Sequence, residues 1–118
     1  MDENRVKPIK ITINRTGEVF ELDFSREAIF MMDRENFKID EVTDYPATSI
    51  PKLFYYAFRK NHRKMTKAQT DRILREEMHG LTAPMIERLI LLYTQAATDD
   101  NVQDEEDFGK NAAVTVEM

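Results

Sequence analysis

Ile9-Lys10-Ile11-Thr12-Ile13-Asn14-Arg15-Thr16-Gly17-Glu18-Val19-Phe20-Glu21-Leu22-Asp23-Phe24 decides the fold class. Ile9, Ile11 and Ile13 alternate with Lys10, Thr12 and Asn14. Val19, Phe20, Leu22 and Phe24 follow, with Glu18, Glu21 and Asp23 between them. Gly17 lies in the connection, and glycine alone reaches positive φ at no steric cost. Two alternating runs around a Gly-bearing loop predict an antiparallel hairpin with one apolar face. Phe20 beside Val19 breaks strict alternation, which predicts a bulge or burial of both faces. Two strands alone are marginal in water, so the hairpin needs helices or another strand against it.

From Ser25 onward the period changes. Ser25 is a candidate N-cap, and Ala28, Ile29, Met31, Met32 and Phe37 recur at helical spacing, predicting a helix over 26–36. Residues 39–44 read as a short turn broken by Tyr45-Pro46. Thr48-Ser49-Ile50-Pro51 is a cap-then-proline signature for a helix over 51–62, with Leu53, Phe54, Ala57 and Phe58 as its stripe. Thr66-Lys67-Ala68-Gln69 matches a capping box opening a helix over 67–78, ended by Gly80. Thr82-Ala83-Pro84 opens another over 84–97. Its apolar residues run nearly all round, which predicts the central, most buried helix. The fold expected is α+β: an N-terminal β-hairpin packed on about four helices. Residues 1–98 read as a single domain. Residues 99–118 read as an acidic C-terminal extension, a solvated linker or frayed helix that ends in the β-prone Val114-Thr115-Val116-Glu117-Met118. That end is expected to return to the hairpin or to add to a neighbouring chain.

The chain has 118 residues, 42% hydrophobic and 33% charged, which suits one small folded domain rather than a disordered chain. It has no cysteine, which excludes disulfides, thiolate metal sites and thiol nucleophiles. No apolar run is long enough to span a bilayer. Met1-Asp2-Glu3-Asn4 lacks a basic n-region, so no secretory signal is expected. Composition thus predicts a small soluble intracellular domain.

The net charge of −5 is unevenly spread. Residues 99–118 carry seven acids against Lys110 alone. Residues 59–75 carry Arg59, Lys60, Arg63, Lys64, Lys67, Arg72 and Arg75 against Asp71. In a helix-turn-helix reading, Arg59, Lys60, Arg63 and Lys64 would meet phosphates. No helix start clusters Arg, Asn or Gln for base contact, so a DNA-binding regulator is the alternative reading.

No catalytic constellation is visible, and the expectation is a non-enzyme without metal or cofactor. His62 and His79 stand at expected helix ends, where a cation suits the dipole. The glycines are too scattered for a phosphate loop, and the acids at 104–107 are consecutive rather than at calcium-loop spacing. Seven methionines and eleven aromatics are ample for one small core, and the Met31-Met32 pair and the Leu89–Tyr93 run exceed its needs. That excess predicts an oligomeric or partner-binding groove, with Phe54, Tyr55, Phe58, Met85, Leu89, Leu92 and Tyr93 as its contact residues.

One resemblance goes further. Ile11-Thr12-Ile13, Glu21-Leu22-Asp23-Phe24-Ser25-Arg26-Glu27, Ile50-Pro51-Lys52-Leu53-Phe54-Tyr55-Tyr56-Ala57-Phe58, Thr70-Asp71-Arg72-Ile73-Leu74, Leu89-Ile90-Leu91-Leu92-Tyr93 and Val114-Thr115-Val116-Glu117 occur in this order. From about residue 9 to 118 the chain resembles small proteins of tailed-phage and prophage structural gene clusters, similar to tail assembly chaperones. The resemblance implies a non-enzymatic role in the cytoplasm of a bacterial host. There it would bind the helical tape measure protein, with the tail tube protein as a second partner. It supplies no catalytic residues.

Overall fold

The computed structural model describes residues 5–111, with side chains over residues 5–98. β1 (Ile9–Ile13) and β2 (Glu18–Leu22) form an antiparallel hairpin. Five helical segments follow: α1 (Arg26–Arg34), α2 (Glu41–Asp44), α3 (Pro46–Phe58), α4 (Lys67–Arg72, continued by a π-helical turn Ile73–Glu77) and α5 (Ala83–Asn111). The protein is α+β, a hairpin packed on helices. The β-prone end at 114–118 lies outside the described residues.

The hairpin pairs without a bulge, from Ile9 opposite Leu22 to Ile13 opposite Glu18. Phe20 and Leu22 therefore face the core together, and Val19 is turned out, 55% exposed. The doublet Val19-Phe20 thus buries one face only. The outward edge of β2 is closed by the end of α3. The Asp23 N–H donates to the Ala57 carbonyl at 2.9 Å, one of the acceptors a helix leaves unpaired in its last turn. The Glu21 N–H donates to Nε2 of His62 at 3.0 Å, and Asn61 Nδ2 donates to the Glu21 carbonyl. Asp23, buried, takes the Phe24 N–H on one oxygen and Lys60 Nζ at 2.9 Å on the other. An exposed sheet edge and an orphaned helix terminus satisfy each other.

α1 starts where its sequence predicts: Ser25 accepts the Ala28 N–H. It ends at Arg34 rather than at 36. Asn36 takes a left-handed φ of 62°, and the N–H groups of Asn36 and Phe37 bond the carbonyls of Asp33 and Met32. This is a Schellman cap, which asparagine can adopt in place of glycine. Phe37 is thereby folded into the core instead of extending the helix.

α3 begins at Pro46, not at 51, and ends at Phe58, not at 62. Pro46 occupies the first turn, where a missing N–H costs nothing, while Ser49 donates to the Tyr45 carbonyl. Pro51 then lies inside the helix. It withholds one N–H from the exposed Ala47, whose carbonyl water can reach. α4 forms its capping box, with Thr66 accepting from Gln69 N–H and Gln69 reaching back to Thr66 N–H. The expected regular helix to 78 instead widens to a π turn, closed by the Met78 N–H on the Ile73 carbonyl. Ile73 and Leu74 are both buried there. α5 extends past 97 to Asn111 as backbone helix.

The core gathers Leu22, Met32, Leu53, Phe54, Ala57, Phe58, Leu89 and Leu92, all sealed from solvent. α3, not α5, is the central helix: it buries six residues, whereas α5 presents Leu91 outward at 52% exposure. Aromatic edges bind the layers together. Phe58 meets Phe54 at 5.0 Å and Phe20 at 5.4 Å, and Tyr93 meets Phe24 and Phe37 near 5.8 and 5.9 Å.

Tyr56 ties α3 to the end of α1 by donating to Glu35 at 2.5 Å. Burial first, and then this carboxylate bond, raise its hydroxyl above the ordinary tyrosine range. Below about pH 10 the phenol is neutral in both folded and unfolded chains, so its contribution is complete. Above that the unfolded chain loses the proton while the folded one keeps it, and stability falls as pH rises. Tyr56→Phe is expected to cost about 2 kcal/mol in urea denaturation near neutrality. It should also flatten the loss of stability above pH 10.

Candidate partner-binding groove

Two of the concave surfaces that flank the core bear on partner binding. The more apolar one, about 550 Å³, is lined by Pro46, Ala47, Ile50 and Pro51 of α3, by Leu74 and Arg75 of α4, and by His79, Gly80 and Leu81 of the loop before α5. Local sequence builds each wall. The early start of α3 gives it an apolar first two turns, at i, i+1, i+4 and i+5 spacing. The π turn leaves Leu74 at the floor. The loop doubles back because His79 and Gly80 adopt left-handed φ values of 56° and 98°, and the Gly80 N–H bonds the Leu74 carbonyl at 2.9 Å. A Cβ on Gly80 would meet no neighbour, so only backbone strain restricts this position. Tyr45, 67% exposed, stands next to Pro46 at one end, and Tyr55 continues the helix side of Ala47 and Pro51.

The second surface, about 560 Å³, is lined by Phe20, Lys60, Asn61, His62, Arg63, Lys64, Met65 and Gln69. Much of its charge is answered within the fold. Lys60 pairs with Asp23 and Arg63 with Glu27; outside this lining, Lys67 and Arg75 share Asp71. His62 is not the helix-end cation expected from its position, since α3 ends four residues earlier. Its Nε2 accepts the Glu21 N–H, so that nitrogen carries no proton. Its ring packs edge-on to Phe20 at 5.1 Å. Among the described residues no three His, Asp or Glu side chains gather as metal ligands. No helix among them is long and apolar enough to cross a membrane.

The seven contact residues expected from apolar excess divide sharply. Phe54, Phe58, Leu89 and Leu92 are fully buried and hold the core, so their area is used by this chain's own fold. Tyr93 is half-buried among Phe24 and Phe37, and burial raises its hydroxyl above the usual range. Met85 and Tyr55 are half-buried and neither lines the apolar groove; Tyr55 lies one turn beyond Pro51 on the same side of α3. Sequence reasoning missed Pro46, Ala47, Ile50 and Leu81. Reading Ile50-Pro51 as a helix start hid the apolar stripe one turn upstream of it.

Leu92→Asp is expected to abolish cooperative unfolding, because it buries a charge in the sealed core. Ala47→Asp, on the groove wall, should melt within a few degrees of the parent in a thermal scan.

The whole chain, residues 2–118, matches a family described as Domain of unknown function (DUF5055), and the chain belongs to that family. Comparison with curated proteins and with solved structures returns no match.

Proposed function

We propose that this family member is a non-enzymatic assembly chaperone or adaptor of phage tail morphogenesis, whose apolar groove holds amphipathic segments of the helical tape measure protein. The observation that carries the reading is the groove itself: apolar walls on α3 and the loop before α5, open to solvent, beside an exposed Tyr45. A trough of this composition accepts an amphipathic helix by its i, i+3, i+4 and i+7 apolar residues. Its few polar groups make few directional demands, which suits a holder that must later release its cargo. The sequence resemblance to tail assembly chaperones supplies the identity of that cargo. Action in the cytoplasm of a bacterial host, with the tail tube protein as a second partner, belongs to the same reading.

The alternative of a DNA-binding regulator using residues 59–75 is less favoured. Lys60, Arg63, Lys67 and Arg75 each face a carboxylate of the same chain, and phosphate contact would have to displace those pairs.

Co-expression with a tape measure fragment is the direct test. The fragment should co-purify with the parent protein and be retained at least tenfold less by Ala47→Asp or Tyr55→Asp, both still folded by circular dichroism. Equal retention by these variants would remove the groove from the reading. A DNA mobility shift that appears at low salt and disappears by physiological salt would favour the alternative.

A further inference from the structure

The hairpin has two edges, and the described residues close only one along its strands. The N–H groups of Glu21 and Asp23 point away from β1, toward His62 and Ala57. Lys10 opposite Glu21, and Thr12 opposite Val19, are therefore the non-bonded pairs of the antiparallel ladder. The N–H and C=O of Lys10 and Thr12 face outward from β1, both residues are exposed, and no group among the described residues meets these backbone atoms. Further back on the same edge, both backbone groups of Val6 are met by the Gln95 side chain. Pairing of this edge by the described residues thus stops before Lys10. Beyond it the edge opens on a cavity of about 570 Å³, between Ile11–Arg15 of the hairpin and Glu76–His79 at the end of α4. No β2 residue lines it, so it lies on the free side.

We propose that this edge receives residues 114–118 of a second copy of the chain as an added strand. Val114, Val116 and Met118 alternate with Thr115 and Glu117. Aligned with β1, the first set falls on the face of Ile9, Ile11 and Ile13, and the second on the face of Lys10 and Thr12. Glu117 then shares a face with Lys10, opposite in charge. Main-chain bonds supply the affinity, and the alternating side chains set the register.

Reach decides between this chain's own tail and another's. Gln95 of α5 meets Val6, and Arg88, two turns earlier, meets the Lys7 carbonyl. β1 therefore runs away from the end of α5. From Gln95 to Asn111 the helix advances about 24 Å. With Glu117 opposite Lys10 the added strand is antiparallel, and Met118 must reach Ile9. The seven residues from Asn111 to Met118 span at most about 25 Å. That is enough to return to the level of Gln95 and Val6 but short of Ile9, which lies beyond Val6 on the side away from the end of α5. In a second copy there is no such limit, and reciprocal exchange closes a two-fold dimer.

The absence of native cysteine gives a clean test. Mixing full-length Lys10→Cys with full-length Glu117→Cys under mild oxidation should yield the mixed disulfide dimer well above a Lys10→Cys with Thr43→Cys control. The double variant at high dilution should not close within one chain. In sedimentation equilibrium the parent should dimerise, and Val114→Asp with Val116→Asp should weaken dimerisation at least tenfold. An unchanged thermal melt of that variant would show that the domain stays folded. A parent that is monomeric at every concentration overturns the proposal. So does association indifferent to the aspartates, or a link formed within a single chain. The assay contains no other protein, so its outcome is independent of the chaperone reading.

Discussion

The end of α3 docked on the outer edge of β2 is the constraint from which the rest follows. A two-stranded hairpin has no stability of its own, and a helix terminus leaves carbonyls without donors. Here the deficit of one is met by the other: Asp23 N–H to Ala57, Glu21 N–H to His62, Lys60 to Asp23. The contact fixes which face of the sheet turns inward, and Phe20 and Leu22 then seat on Phe58 and its neighbours. It also determines which edge stays open. α3 can close β2 or β1 but not both, and among the described residues no other group meets the outward backbone of Lys10 and Thr12.

Charge follows the same arrangement. The cluster of bases at 59–75 looks, as a string of letters, like a surface prepared for phosphates. In three dimensions Asp23 and Glu27, both distant in sequence, stand against Lys60 and Arg63. Exposed pairs of this kind contribute little stability. Their consequence is to lower the field that a polyanion would meet.

Local chemistry was legible in the sequence, and distance-dependent chemistry was not. Ser25 and Thr66 cap the helices they precede because a hydroxyl reaches an N–H three residues on, whatever the tertiary setting. Hairpin and fold class were legible because alternation survives any packing. The contact residues were not, because a buried leucine and an exposed one are the same letter. Phe54, Phe58, Leu89 and Leu92 proved to be core, while Leu91, between two of them, is outside. The boundaries of α3 were misread for a related reason. Pro46 and Pro51 both satisfy the rule for a first turn, and only the Tyr45 carbonyl, occupied by Ser49, distinguishes them. The π turn left no mark that composition could register.

One short segment forms a wall of two of the open surfaces, the apolar groove and the cavity at the free hairpin edge. Glu76–His79 faces β1 across one cavity, and Leu74, Arg75 and His79–Leu81 face α3 across the other. Its shape is held from within by the Gly80 N–H on Leu74 and from outside by Arg15 on Glu77 at 2.7 Å. The two surfaces nonetheless ask for different things. A free strand edge reads backbone and accepts any extended segment with the right alternation, whereas an apolar trough reads the side chains of a helix and ignores its backbone. Occupants of such unlike conformation do not compete for the same contacts. A free strand edge and an apolar trough can therefore share a wall and still be distinct.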